Sequence, residues 1–364
     1  MTVEELGPEA GPDQSGWRRF EASGNSVGGA LYVPPKAGWL PFLGTQDRSL
    51  PLIVALHGCG QTAGDFAIGT RFAELAEEKG FAVLFPESQR SPETVALNPF
   101  GCWVWWSSVN QTRGGEPARI IALIERARAF EPRLATGRVC VAGLSSGAAM
   151  ATILGAVYPD QVAAVAAHAG VAFSAMEVEQ PNLPGWYGQS TDPVAALSAF
   201  NPLNLFNLAR WGNSSLSALE KADGTAVSQA RRIVATRREV QAHEQDVALL
   251  VVHGDDDRTV DPSHARQLIL QALQVADLLD NDSDDDTVDS VVDRRSRGIG
   301  GPGDYPYELS DYHDRSGRFV ARLIRIGRLG HAWSGGSPAG SFTDPLGPDA
   351  TTLTWEFFRD QGCL

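Results

Sequence analysis

The chain has 364 residues, of which 43% are hydrophobic and 20% charged, so it is long enough to bury a large core and is typical of a globular protein. Its formal net charge of −14 argues against binding to nucleic acid or to an anionic membrane surface, because both need a basic surface. A neutral substrate is therefore expected. No apolar run approaches the roughly 20 residues that a membrane-spanning helix requires, so the sequence predicts a soluble protein.

Short strands and helices alternate along the chain. The sequence predicts a strand pair near Trp17–Phe20 and Ala30–Val33, and buried parallel strands at Leu52–Leu56 and Phe81–Phe85, which are apolar on both faces. A helical segment through Phe72 separates the latter two. Further strands are predicted at 138–142, 162–167, 247–252 and 319–326, with a helix at 117–130. This alternation predicts a single α/β domain with a mostly parallel sheet and helices on both faces.

Two segments interrupt the alternation. Residues of about 173–230 carry clusters of Pro, Gly, Trp and Asn, which predict a lid-like insertion over the carboxyl edge of the sheet. Residues of about 277–303 are rich in Asp, and their composition predicts a solvated or disordered insertion. An EF-hand calcium loop is disfavoured there, because its central Gly and closing Glu are absent.

The four cysteines are too few for a disulfide scaffold in a chain of this length. Cys140 lies inside a predicted strand and is expected to be a buried thiol, whereas the position of Cys363 predicts no role for it. Cys59 and Cys102 both lie in loops, and a bond between them would indicate an oxidising compartment. The start of the chain has neither a basic nor an apolar stretch and predicts no secretory signal, so a cytoplasmic location stays open beside an extracellular one.

The segment 138–154 predicts a nucleophilic serine. A short apolar run ends in Gly143-Leu-Ser145-Ser-Gly147, and a helical pattern follows directly. Gly-x-Ser-x-Gly between a strand and a helix is typical of a sharp turn that holds the serine in a strained backbone and exposes its hydroxyl. Ser145 is therefore the candidate nucleophile.

A serine hydroxyl needs a histidine to accept its proton and a carboxylate to orient that histidine. In sheets of this type the acid follows the serine and precedes the histidine. Three acids follow the strand at 247–252, and the spacing His-Gly-x-x-Asp-x-x-Val, common in α/β-hydrolases, favours Asp257. Asp255 and Asp256 remain alternatives.

The candidate base is His331, which follows the strand at 319–326 in a loop of small residues that leaves its ring room to enter the site. A lone histidine is otherwise expected to be exposed or satisfied within the core. That interpretation applies to the other six histidines of the chain, His57, His168, His243, His253, His264 and His313.

A nucleophilic serine that attacks a carbonyl also needs backbone N–H donors for the oxyanion of the tetrahedral intermediate. One is expected from Ser146, directly after the nucleophile. The other is expected from the loop at His57–Gln61, where the Cys59 N–H is the best candidate. The Cys59 thiol is expected to be structural, because no turn of the nucleophile type surrounds it.

Tryptophans are concentrated near these loops. Trp103, Trp105 and Trp106 lie in one loop bounded by Gly and Pro, and Trp333 lies two residues past His331. We expect a flat apolar surface for substrate there, with ordinary loop anchoring as the alternative for each ring.

Four separated motifs resemble one family of enzymes. They are His-Gly-Cys-Gly-Gln-Thr-Ala at 57–63, Cys-Trp-Val-Trp-Trp at 102–106, Gly-Leu-Ser-Ser-Gly-Ala-Ala-Met at 143–150 and Gly-His-Ala-Trp-Ser-Gly-Gly at 330–336. In this order they resemble the esterases of the polyhydroxybutyrate depolymerase family, which is related to feruloyl and acetylxylan esterases. The resemblance runs from about Gly29 to Phe358, with the Asp-rich insertion outside it. It implies an α/β-hydrolase fold and a serine esterase.

Carried over motif by motif, the resemblance implies a triad of Ser145, Asp257 and His331. It also implies an oxyanion hole from the amides of Cys59 and Ser146.

The resemblance further implies a disulfide between Cys59 and Cys102 and a substrate contact at Trp105, as well as secretion. Extracellular depolymerases often add a linker and a substrate-binding domain, and this chain shows neither, so a short-chain or oligomer esterase is as consistent with it as a polymer-degrading one.

The sequence therefore predicts a carboxylic-ester hydrolase that forms an acyl-enzyme on Ser145 and needs no metal or cofactor. Its expected substrate is an ester of hydroxyalkanoate polymer or oligomer, with feruloyl or acetylxylan esters as the alternative. A peptidase or acyltransferase on the same fold is a second enzyme hypothesis. A noncatalytic protein that grips polymer or sugar with its tryptophan loop is the hypothesis from another class. The oligomeric state is not predicted.

Overall fold

A ten-stranded sheet organises the computed structural model, which describes residues 16–24, 26–35, 49–88, 98–175, 216–239, 246–281, 292–314 and 316–364. Its strands are β1 (Trp17–Phe20), β2 (Gly28–Tyr32), β3 (Leu52–Leu56), β4 (Ala82–Glu87), β5 (Val139–Leu144), β6 (Val162–His168), β7 (Ala248–Gly254), β8 (Val292–Gly300), β9 (Tyr305–His313) and β10 (Phe319–Ile326). Their spatial order is β1-β2-β4-β3-β5-β6-β7-β10-β9-β8. Two short strands, β11 (Trp333–Ser334) and β12 (Thr343–Asp344), pair separately.

The six central strands, from β4 to β10 in spatial order, are parallel, and the flanking strands pair antiparallel at both edges. The central strands bury both faces, which explains why β3 and β5 are apolar at every position. Because parallel strands end at the same edge, the loops after β3, β5, β7 and β10 meet there. The sequence prediction of a mostly parallel sheet is confirmed.

Seven helices are described: α1 (Ala63–Thr70), α2 (Phe72–Lys79), α3 (Gly115–Phe130), α4 (Ser146–Val157), α5 (Leu216–Glu239), α6 (Ser263–Asn281) and α7 (Ala350–Asp360). They cover both faces of the sheet, as predicted. Val54 of β3 packs in the core that α3, α4, α5 and α6 cover. Its neighbours Ile53 and Ala55 point to the other face, in the core that α1, α2 and α7 cover.

The Asp-rich segment predicted at about 277–303 has regular structure at both ends, so disorder is wrong for those parts of it. Asp277 is buried in α6, where Gln274 Nε2 donates to its Oδ2 at 3.0 Å. Residues 292–300 form β8, which pairs with β9 at the edge of the sheet. The described side chains of β8 are mostly exposed, and an exposed edge strand needs no apolar run, so the polar sequence concealed this strand. The middle of the predicted insertion, at 282–291, lies outside the described residues.

The insertion predicted at about 173–230 falls mostly on 176–215, which also lies outside the described residues. Its last part is the beginning of α5, whose Ile233 and Val234 are buried in the same core as Leu268 of α6. The lid role of this insertion therefore stays a prediction.

Cys140 of β5 forms a disulfide with Cys363, which follows α7, with a Cα–Cα distance of 6.2 Å. The expectation of a buried free thiol at Cys140 is wrong. The two residues are 223 positions apart, so no local spacing reveals that the chain end returns to the middle of the sheet.

Candidate active site

Ser145 occupies the turn between β5 and α4 with φ 57° and ψ −117°, a backbone conformation that residues other than Gly rarely adopt. Close packing enforces it. A Cβ on Gly143 would lie closer than 3.0 Å to the Gly147 carbonyl, and one on Gly147 would lie closer than 3.0 Å to Leu56 O of β3. Both glycines are therefore needed for the strand and the helix to meet at this angle, and the strained residue between them is the predicted nucleophile.

Asp257 lies three residues past β7 and is buried. Its Oδ1 accepts hydrogen bonds from the N–H groups of Thr259 at 2.8 Å and Val260 at 2.9 Å. Its Oδ2 accepts from Nδ1 of His331 at 2.8 Å, and Nε2 of His253 lies 3.5 Å away. Burial alone would raise the pKa of the Asp257 carboxyl, but the hydrogen bonds from His253 and His331 and the other contacts outweigh it and lower the pKa. The carboxylate is ionised at neutral pH.

The two alternative acids lie elsewhere. Asp255 is exposed and pairs with the guanidinium of Arg325 at 2.7 Å. Asp256 is exposed, and its backbone N–H donates to Leu329 O at 3.0 Å. Of the three acids, Asp257 is the one that contacts His331.

His331 follows β10, and its Nδ1–H donates to Asp257, which leaves Nε2 as the ring nitrogen that can accept a proton. Two other histidines are satisfied in the core, as expected. His168 stacks on Trp333 with 3.9 Å between ring centroids, and burial and the neighbouring His253 lower its pKa to about 3. His57 is fully buried, with Nδ1 2.8 Å from Gly58 O and Nε2 accepting from the Ser88 N–H at 3.1 Å.

Among the residues that the structure describes, two backbone amides of the loop after β3 have acceptors and the one between them does not. The Gly58 N–H donates to Gln61 Oε1 at 2.9 Å, and the Gly60 N–H donates to Phe100 O at 2.7 Å. The Cys59 N–H between them has no acceptor among the described residues. A Cβ on Gly58 would lie 3.4 Å from the Ser145 Cβ, so this loop packs directly against the nucleophile turn. The Ser146 N–H is at the first position of α4, where helix amides are unpaired.

A disulfide joins Cys59 to Cys102, with a Cα–Cα distance of 4.2 Å, so the pairing implied by the resemblance is confirmed. Asn98 fixes the far side of the bond, because its Oδ1 accepts from the Cys102 N–H at 2.9 Å and its Nδ2 donates to Cys102 O at 2.7 Å. The disulfide therefore connects the loop after β3 to the tryptophan loop, which begins at Cys102 and carries Trp103, Trp105 and Trp106.

The four tryptophans divide into two pairs. Trp103 and Trp333 are fully buried, so the expectation that they contact substrate needs correction. Trp103 packs near His57 with 5.4 Å between ring centroids, and Trp333 Nε1 donates to Thr351 Oγ1 at 2.9 Å. Trp105 and Trp106 are partly exposed and meet edge to face at 5.7 Å. Each of these two residues keeps part of its surface accessible to solvent.

Phe342 lies beside His331, although no sequence pattern predicts it. The residue is about half exposed, at 48%, and its ring lies 6.4 Å from the ring of His331, centroid to centroid. A phenylalanine in a loop of Gly, Ser and Thr carries no local signal, so only the folded chain reveals its position.

Within the described ranges, no group of three or more His, Cys, Asp or Glu side chains could hold a metal ion. The helices of those ranges include none that is long and apolar enough to cross a bilayer.

Comparison with known proteins identifies similar chains. A family model described as esterase PHB depolymerase matches residues 27–210. The probable acetylxylan esterase A of Aspergillus clavatus is 33% identical over 154 residues, which cover 42% of this chain and 44% of that protein. The poly(3-hydroxyalkanoate) depolymerase C of Paucimonas lemoignei is 25% identical over 287 residues, which cover 79% of this chain and 56% of that protein. The chain thus spans about half the length of the curated relatives it matches.

Among solved structures, an acetyl xylan esterase from Aspergillus awamori superposes with a TM-score of 0.57 at 19% identity, covering 86% of this chain and 93% of that one. At this identity the likeness concerns the fold. Together with the parallel sheet and its helices, it confirms the predicted α/β-hydrolase fold.

Proposed function

The chain belongs to the PHB depolymerase family of esterases, and from this premise we propose that it hydrolyses carboxylic esters with Ser145 as nucleophile. The observation that carries the proposal is the hydrogen bond between His331 and the ionised Asp257, at the same edge of the sheet as the strained turn of Ser145. A buried carboxylate that fixes one histidine nitrogen directs the other to act as the base.

In the proposed reaction, His331 Nε2 accepts the hydroxyl proton as Ser145 Oγ attacks the ester carbonyl. Asp257 holds the imidazole in the correct tautomer and stabilises the imidazolium that forms. The carbonyl oxygen becomes an oxyanion, and the amides of Cys59 and Ser146 are the proposed donors to it. The disulfide to Cys102 supports the loop that carries the Cys59 amide.

The tetrahedral intermediate then collapses. The bond to the alcohol oxygen breaks, and the imidazolium returns its proton to that oxygen, so the alcohol leaves and the acyl group stays on Ser145. Water attacks the acyl-enzyme with His331 again as base, and the carboxylic acid leaves as Ser145 regains its proton. Every step uses groups of this chain and water.

The first candidate substrate is a hydroxyalkanoate polyester or its oligomers. It is supported by the relative described as a poly(3-hydroxyalkanoate) depolymerase, which aligns with most of this chain. Trp105 and Trp106 are the proposed apolar contacts for it. The second candidate is an acetyl ester of xylan or a feruloyl ester, favoured by the higher identity to an acetylxylan esterase over a shorter segment.

A substrate panel separates these candidates. Hydroxybutyrate oligomers, amorphous polyester, acetylated xylan, a feruloyl ester and the amide of one acyl group are each assayed with the wild type and with Ser145→Ala as the blank. Preferred turnover of oligomers supports the first candidate, and preferred turnover of acetylated xylan or the feruloyl ester supports the second. Faster amide than ester cleavage would identify a peptidase, and polymer binding with no turnover of any ester would identify a noncatalytic binder.

We also propose that the protein matures in an oxidising compartment, outside the cytoplasm. Its four cysteines form two disulfides, and such bonds persist where thiols are not kept reduced. Non-reducing peptide mapping of the natively produced protein tests this, and free thiols at Cys59 and Cys102 would refute it.

A further inference from the structure

Phe342 combines surface exposure with a strained backbone. Its φ of 50° is in the left-handed region, which is a genuine outlier for a bulky side chain, yet 48% of the residue is exposed. A ring that contributes little to the core gives no packing reason for this strain. Strain of this kind persists where the surroundings over-determine it, and it concentrates at functional sites.

The loop around Phe342 is held from several sides. The Ser341 N–H donates to Asp65 Oδ1 at 2.9 Å, and Gln61 Nε2 donates to Ser341 O at 2.9 Å. The carbonyl of Phe342 itself accepts from the Trp333 N–H at 2.7 Å. The same Gln61 side chain accepts from the Gly58 N–H. It therefore connects the loop around Phe342 to the loop after β3, which carries the Cys59 amide.

The ring of Phe342 lies near both the loop after β3 and His331. A Cβ placed on Gly60 would meet Cε2 of Phe342 at 3.6 Å. The ring also meets His331 edge to face, with 6.4 Å between centroids and an interplanar angle of 81°. Phe342 therefore forms an apolar wall beside the histidine and next to the residue that follows Cys59.

This position selects one part of the substrate. In the reaction proposed above, the alcohol oxygen receives its proton from His331, so the alcohol group leaves on the histidine side of the site. We propose that Phe342 is a specificity-determining residue that contacts the alcohol portion of the ester and favours bulky apolar alcohols over small ones. The inference rests on the proposed function and adds to it the side of the ester that this ring recognises.

Two ester series test the inference. One keeps butyrate as the acyl group and varies the alcohol through methanol, butanol and benzyl alcohol. The other keeps p-nitrophenol and varies the acyl group from acetate to octanoate. For Phe342→Ala we expect the ratio of kcat/KM for benzyl over methyl butyrate to fall about tenfold or more, because a lost apolar contact is worth roughly that in discrimination. Phe342→Leu should restore part of the ratio, and the acyl preference should not change.

Phe130→Ala is the matched control, since Phe130 is 53% exposed and packs against Phe20 near the edge of the sheet. It should leave both series unchanged. Phe342→Gly adds a readout that a structural role would not give, because glycine adopts positive φ without strain. Its melting temperature should equal or exceed that of the wild type while the benzyl preference is lost.

An unchanged benzyl-to-methyl ratio in Phe342→Ala, or a change that follows the acyl series instead, would overturn the inference. A lowered melting temperature in Phe342→Gly with equal loss on every ester would overturn it too. These results are distinct from a failure of the proposed function, which would appear as turnover by Ser145→Ala in the same assays.

Discussion

Nδ1 of His331 lies 2.8 Å from Oδ2 of Asp257, although the two residues are 74 positions apart. The register of two neighbouring strands brings them together. β7 and β10 are parallel and pair Gly254 with Ile326 at their ends. Asp257 and His331 follow those ends within a few residues, so both side chains emerge at the same edge of the sheet.

Replacing Asp257 with Asn should lower kcat by roughly 10⁴-fold with little change in KM, because an amide can hold the imidazole in the wrong tautomer and does not stabilise the imidazolium. Steady-state hydrolysis of p-nitrophenyl butyrate measures this. Asp255→Asn is the control and should stay within about twofold of the wild type, since that carboxylate pairs with Arg325. Equal effects of the two changes would contradict the assignment.

The disulfide between Cys59 and Cys102 should matter for catalysis, and the one between Cys140 and Cys363 for stability alone. Each cross-link is expected to contribute about 3–5 kcal/mol to the free energy of unfolding, because both close long loops. Removing the first by Cys59→Ala with Cys102→Ala should also lower kcat roughly tenfold or more, because an oxyanion donor loses its support. Cys140→Ala with Cys363→Ala should keep kcat. Thermal melts and initial rates measure both, and a selective loss of kcat in the second variant would reverse the assignment.

Glu116 should make stability depend on pH near neutrality. Its buried carboxylate accepts from the Val104 N–H at 2.7 Å and from Asn110 Nδ2 at 3.0 Å, beneath the tryptophan loop. Burial outweighs these contacts and raises the pKa of Glu116 from 4.5 to about 7.

The folded state therefore keeps this proton up to about pH 7, while the unfolded chain releases it near pH 4.5. The free energy of unfolding should fall as pH rises through that window, by on the order of 3 kcal/mol from this group. Denaturant titrations at pH 5 and pH 8 measure the change in the free energy of unfolding between the two pH values. Glu116→Gln should remove this group's part of that change, and Glu74→Gln on the surface of α2 should retain it. An identical change in the free energy of unfolding between pH 5 and pH 8 in the wild type and in Glu116→Gln would refute the prediction.

Trp333 and Trp105 should respond differently to substitution. Trp333→Phe removes the buried hydrogen bond to Thr351 and should lower the free energy of unfolding by about 1–3 kcal/mol, with KM unchanged. Trp105→Ala should raise KM for hydroxybutyrate oligomers several-fold. Chemical denaturation and oligomer kinetics on both variants measure this, and a rise in KM for Trp333→Phe alone would contradict the division.

Local patterns were sufficient for the central strands and the nucleophile turn. β3 and β10 have the bounds that the sequence predicts, because their apolar runs are bracketed by residues that end a strand. Asp257 could be chosen because its spacing from the end of β7 is set by one loop. Each of these features depends on residues that are close in sequence.

The remaining features depend on tertiary contacts. The burial of Trp103 and Trp333 follows from how their loops fold back onto the cores, and composition cannot report that. The Cys140–Cys363 bond and the position of Phe342 depend on chain segments far apart in sequence. β8 was missed because an exposed edge strand needs no apolar signal.

Two adjacent serines provide the most direct test of the central claim, that Ser145 is the nucleophile. Ser145→Ala removes the reactive hydroxyl, whereas Ser146→Ala keeps the backbone N–H and removes a buried hydroxyl without a hydrogen-bond partner among the described residues. With p-nitrophenyl butyrate, we predict that Ser145→Ala loses activity by on the order of 10⁴-fold or more and takes no fluorophosphonate label, while Ser146→Ala keeps both. Turnover near the wild-type rate in Ser145→Ala, or a label that maps to another residue, would contradict the account.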